Sequence, residues 1–222
     1  MAKLWIRSLF LSAVTCWTST APAQEGTRVP PQRSQFHLFL LAGQSNMAGR
    51  GRIDDEAVRA HPRVLMLDQS GQWVPAIDPL HFDKPKLVGV GLGKTFGMDY
   101  AERHADVTVG LIPCAVGGSP ISAWEPGGFH EQTDSHPYDD AISRAKLAMQ
   151  SGVLKGILWH QGESDSTTKR AAVYEQKLHA LVARFRSELA TEQVPLVAGQ
   201  LGQFDERPWN DARKLVDSVH RR

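Results

Sequence analysis

Five short apolar runs, separated by stretches of helical periodicity, constrain the fold of this chain more than any other feature. They cover residues 36–42, 63–67, 107–113, 153–159 and 194–201. Each is rich in Leu or β-branched residues and lacks polar alternation, as in strands covered on both faces. The clearest helical stretch between them is 168–190. There Val173, Leu178, Leu181, Val182, Phe185 and Leu189 share one face, and Lys169, Arg170, Glu175, Lys177, Arg184 and Glu188 the other. Residues 92–102 and 138–150 are shorter helical candidates. Alternation of strand and helix predicts an α/β fold: a parallel sheet with helices on both faces. A ligand site then lies beyond the C-terminal ends of the strands.

The chain of 222 residues suits one folded domain, and 41% hydrophobic residues suit a globular core. Residues 1–23 read as an export signal: Lys3 and Arg7 precede an apolar run too short to span a bilayer, and Ala21-Pro22-Ala23 forms a cleavage site. The expected location is secreted or periplasmic. A lipid anchor on Cys16 is disfavoured by the bulky Thr15 before it, and membrane attachment follows only if the signal stays uncleaved. Residues 24–35, polar and Pro-containing, read as a flexible lead-in to a domain over 36–222. Without Lys3 and Arg7 the 25 basic residues become 23 against 24 acidic ones, a net charge of about −1. That balance favours neither nucleic acid nor an anionic membrane. Cys114 would keep no intrachain partner, so stability comes from the core rather than from disulfides. No tight spacing of His, Cys, Asp and Glu suggests a metal, and no cofactor is implied.

Polar groups concentrate where three strands end. The first runs into Gly43-Gln44-Ser45-Asn46-Met47, a Gly-bracketed turn that presents a serine as a hydrolase presents its nucleophile, apart from Met47 in place of a second glycine. The third runs into Cys114-Ala115-Val116-Gly117-Gly118-Ser119, where paired glycines can turn an N–H into a cavity. The fourth runs into His160-Gln161-Gly162-Glu163-Ser164-Asp165. Acyl transfer needs a nucleophile, a base and preorganised donors for the oxyanion. Each segment also has a plain reading as a tight turn or surface loop. Cys114 reads as a buried structural residue. Trp124 reads equally as a sugar platform or a core or rim aromatic.

Taken in order, segments 41–51, 113–119 and 159–165 resemble the sialate O-acetylesterase-like branch of the SGNH hydrolases, which includes the acetylxylan esterases of carbohydrate esterase family 6. The resemblance runs from Phe36 to Phe204, and Gly89-Val90-Gly91-Leu92-Gly93 matches the Gly-rich start of a helix. It implies a three-layer α/β/α, flavodoxin-like domain on a five-stranded parallel sheet. It implies removal of acetyl groups from carbohydrate, either a xylan-like polysaccharide or sialic acid. Ser45 would be the nucleophile; the Ser45 and Gly118 N–H groups and the Gln161 side chain would bind the oxyanion. Glu163 would orient the catalytic histidine or support its loop.

The resemblance also implies an Asp-x-x-His near the C-terminus, after a further helix and loop. Asp217-Ser218-Val219-His220 matches by letter, but it falls inside residues 211–222, which read as a helix with Leu215, Val216 and Val219 on one face. Asp78-Pro79-Leu80-His81 is a second literal match, in the wrong part of the chain. By this comparison the sequence is expected to be clipped at its C-terminus and to lack the family's base. A relic that binds carbohydrate without hydrolysing it is the alternative function.

Overall fold

The computed structural model describes residues 32–206 and 208–222; the expected export signal and most of the lead-in lie outside the described residues. The strands are β1 (Phe36–Gly43), β2 (Val64–Leu67), β3 (Trp73–Pro75), β4 (Thr108–Pro113), β5 (Val153–His160) and β6 (Leu196–Ala198). The helices are α1 (Ser45–Ala48), α2 (Leu92–Arg103), α3 (Pro137–Ala148), α4 (Thr168–Glu188) and α5 (Asp211–His220).

All six strands form one sheet in the order β3-β2-β4-β1-β5-β6. Five are mutually parallel and correspond to the five apolar runs. The sixth, β3, was not expected: it pairs antiparallel with β2 at the edge, and three residues are too few to carry a periodic signal. Counted in chain order, the parallel strands lie second, third, first, fourth, fifth. The flavodoxin order instead sets the first strand between the second and third. Here β1 is central, flanked by β4 and β5.

Residue alternation along β1 assigns the two cores. Phe36, Leu38, Leu40 and Ala42 face a cluster with Ile142 of α3, Leu178, Leu181 and Phe185 of α4, and Val216 and Val219 of α5. Phe39 and Leu41 face a cluster with Met47 and Ala48 of α1 and Ala101 of α2. Helices therefore cover both faces, in three layers. On α4, Val173 is exposed and Tyr174 is wholly buried in its stead. On α5, Leu215 points outward, and the inward face is Val216, Asp217 and Val219.

Strand β1 continues into α1 on one face of the sheet, whereas neighbouring β4 leads to α3 on the other. Connections that leave adjacent strands for opposite faces open a crevice at the strands' C-terminal ends. The loop holding Ser45 and the loop holding Gly118 flank it.

Candidate active site

Ser45 opens a single helical turn. Gly43 before it has φ +131° and lies against the His160 backbone, so that a Cβ there would collide with the His160 carbonyl. The Gln44 N–H donates to that carbonyl at 2.9 Å, which locks the turn to the end of β5. The Gly43 carbonyl accepts from Val116 N–H at 2.9 Å, which locks it to the loop after β4. Ser45 is partly exposed and Gly118 exposed, the latter at φ +87°. Among the described residues, neither the Ser45 nor the Gly118 backbone N–H meets an acceptor.

The residues on either side of Ser45 hold the loop after β5. Buried Gln44 accepts through Oε1 from Ser164 N–H at 3.3 Å. Asn46 donates through Nδ2 to Glu163 Oε1. The Ser164 hydroxyl donates to the Gly118 carbonyl at 3.0 Å. Three strand ends are thus tied into one unit around the serine. Glu163 takes the loop-supporting role through Asn46, and its Oε2 is buried without a hydrogen-bond partner among the described residues.

Gln161 departs from the role that the resemblance implied. Its side chain is wholly buried, and both amide N–H bonds are engaged, on the Ser119 carbonyl at 3.2 Å and on Asp165 Oδ2 at 2.6 Å. Its Oε1 accepts from the Tyr174 hydroxyl at 2.9 Å. Gln161 braces the loops from beneath and has no free N–H for an oxyanion; a fully buried amide must satisfy its own groups first.

Asp217 and His220 also fail to form the pair their spacing suggested. Asp217 Oδ1 accepts from Leu201 N–H at 2.9 Å, and Oδ2 lies 3.3 Å from the Arg221 guanidinium. His220 Nε2 lies 2.9 Å from the Tyr174 hydroxyl, and Nδ1 is buried without a partner among the described residues. One helical turn separates the two residues, and each side chain finds its neighbour on another element. Burial holds the His220 imidazole down at about 4. His160 is lowered by burial too, an effect that the Glu163 carboxylate opposes. Among the described residues, no histidine hydrogen-bonds the Ser45 hydroxyl.

Trp124 is core: it is wholly buried, donates to Ser119 Oγ at 3.0 Å, and meets Trp159 edge-on at 5.1 Å. Cys114 is buried, and its thiol is pushed up to about 11, as for an inert structural cysteine. Asp78 and His81 are both buried and do not pair: Asp78 lies 3.8 Å from Lys94, and His81 Nε2 has no hydrogen-bond partner among the described residues. Among the described residues, no group of three or more His, Cys, Asp or Glu side chains is placed to hold a metal ion. Gln44, Asn46 and Tyr174 were not singled out by sequence. Only Tyr174 carried a signal, its spacing of four and seven from Leu178 and Leu181.

The family profile described as "carbohydrate esterase, sialic acid-specific acetylesterase" matches residues 35–221. A probable carbohydrate esterase of Arabidopsis thaliana is 31% identical over 81% of this chain and 74% of its own. Human sialate O-acetylesterase is 28% identical over 58% of this chain, a match that spans 31% of the human protein. A crystal structure of an Arabidopsis thaliana protein superimposes with a TM-score of 0.72 at 28% identity, covering 82% of this chain and 79% of that one.

Proposed function

We propose that this chain, which belongs to the sialic acid-specific acetylesterase family of carbohydrate esterases, is an exported enzyme that deacetylates carbohydrate through an acetyl-enzyme on Ser45. Members of the family are carboxylic ester hydrolases. One observation carries the serine mechanism: Ser45 stands at the crevice between β1 and β4 with its own N–H and that of Gly118 unclaimed among the described residues. These are the elements of a nucleophile and an oxyanion hole.

Ser45 Oγ attacks the acetyl carbonyl carbon as its proton passes to a base. The tetrahedral oxyanion rests on the two N–H groups. Collapse expels the sugar oxygen, which takes the proton, and water then releases acetate by the same steps in reverse roles. The base must be a neutral imidazole. His160 ends β5, and His220 lies against Gly162 in the loop that follows; burial favours the neutral form of both. The sequence of residues 1–23 supports export.

Hydrolysis of p-nitrophenyl acetate by the purified chain tests the mechanism. Ser45→Ala is expected to lower kcat about a thousandfold or more. Of His160→Ala and His220→Ala, the one that removes the base falls with it. If Ser45→Ala hydrolyses as fast as the parent, the nucleophile is wrong. If the parent exceeds neither Ser45→Ala nor buffer, the carbohydrate-binding relic replaces the esterase, a reading favoured by a Ser45 hydroxyl that meets no histidine among the described residues. An extracellular form beginning at Gln24 by mass spectrometry would confirm the export signal.

A further inference from the structure

The hydrogen bond between Gly43 and Val116 is not the only tie between the two oxyanion donors. A second one passes through charged groups that the acyl-transfer steps do not use. Gly49 closes α1 by donating its N–H to the Ser45 carbonyl at 2.9 Å. The Gly49 carbonyl accepts from Arg50 Nη1 at 2.6 Å. Arg50 Nη2 donates to Asp83 Oδ2 at 3.1 Å, and the same oxygen accepts from Gly117 N–H at 2.7 Å. The path of contacts that starts at Ser45 thus ends one residue before Gly118.

The peptide between Gly117 and Gly118 needs such a tie. Residues 116–119 form a tight turn, closed by Ser119 N–H on the Val116 carbonyl at 3.2 Å, with Gly118 at φ +87°. Two glycines in succession leave the peptide between them free to turn over, because neither residue carries a Cβ to oppose it. Turning over would reverse the direction of the Gly118 N–H. On the far side of the turn, Ser164 Oγ holds the Gly118 carbonyl at 3.0 Å. On the near side, among the described residues, Gly117 hydrogen-bonds to Asp83 alone.

The Asp83 side chain is 2% exposed, both of its hydrogen bonds fall on Oδ2, and Oδ1 is buried without a partner among the described residues. Burying a carboxylate with one oxygen unpaired costs stability. What the charge supplies in return is a strong bond to the Gly117 N–H, while Arg50 offsets it and holds the carboxylate against the turn. The pair packs directly on Gly117: a Cβ there would run into the Arg50 guanidinium and Asp83 Oδ2. Donors to an oxyanion are worth most when nothing has to move as the charge develops.

We propose that Asp83, held in place by Arg50, is a positioning residue for acyl transfer: it fixes the turn so that the Gly118 N–H is aimed at the oxyanion. The proposal rests on the serine esterase reading and deepens it. The test compares p-nitrophenyl acetate with its thionoester, in which sulfur replaces the carbonyl oxygen and accepts hydrogen bonds poorly. Asp83→Asn and Arg50→Gln are each expected to lower kcat on the oxygen ester about thirtyfold, less than outright loss of a donor, with KM within about twofold of the parent. On the thionoester they lose far less, so the preference for oxygen over sulfur falls. The double variant falls no further than Asp83→Asn, because both residues act through one contact. Thermal melts within a few degrees of the parent show that the variants remain folded. Methylboronic acid, which adds to a serine as a tetrahedral anion, reads the same donors without turnover. Its Kd by calorimetry is expected to rise about tenfold in either variant. Equal losses on both esters, or kcat and boronic acid affinity unmoved in both folded variants, overturn the positioning role alone. A parent that neither hydrolyses the esters nor captures the boronic acid, or a Ser45→Ala variant as active as the parent, overturns the esterase reading and this role with it.

Discussion

Gly43 lies where no side chain fits, since its φ is positive and the His160 carbonyl occupies the space of a Cβ. Gly43→Ala must push β1 and β5 apart directly beneath Ser45. A cost of about 3 kcal/mol is expected, at the upper end for overpacking, with a fall in kcat on p-nitrophenyl acetate. Urea unfolding measures the first; an unmoved midpoint would mean that the contact gives way easily. The glycine and the serine were legible from the turn pattern alone. The orientation of Gln161 was not, because it depends on Ser119, Asp165 and Tyr174, which reach it from other parts of the chain.

At the scale of elements, Tyr174 of α4 joins pieces that sequence treats as independent. Its hydroxyl meets Trp159 Nε1 on β5 at 3.3 Å, Gln161 Oε1 in the following loop and His220 Nε2 on α5. Tyr174→Phe keeps the ring and strands these partners. A loss of about 1–3 kcal/mol is expected by urea denaturation, together with a lower kcat as the Gln161 loop loosens. If stability is unchanged, the hydroxyl is no hub. Helix α5 teaches a related lesson. Hydrophobicity selected Leu215, but the surface of α4 and the loop after β6 accept Val216, Val219 and the carboxylate of Asp217, which fastens Leu201 N–H. A short helix with few apolar residues can be rotated by a single buried polar contact.

At the scale of the whole molecule, acid should weaken the fold through buried histidines. His81 and His220 titrate near 6.5 when unfolded and are each held down at about 4 when folded. Above the unfolded value they contribute no pH dependence. As pH falls from there toward 4 the unfolded chain binds protons that the native one refuses, so stability drops. For His81 the full displacement corresponds to at most about 3 kcal/mol. Asp78 and Asp165, whose carboxyls burial pushes up, act in the opposite sense, so the informative quantity is a difference between proteins. Unfolding at pH 7 and at pH 4.5 should show a smaller loss for His81→Gln than for the parent. Parallel losses would remove His81 from the account.

The sequence by itself determined the layered α/β class, the five parallel strands, the four longer helices to within a few residues, the serine turn and the family. Hydrophobic periodicity and glycine placement are local properties, and each follows from nearby residues. Tertiary structure alone decided the antiparallel edge strand, the central place of β1 between β4 and β5, the burial of Trp124 and Gln161, and the separation of Asp217 from His220. These depend on what stands across a gap of many residues, where a polar atom buried without a partner costs more than any local preference can return.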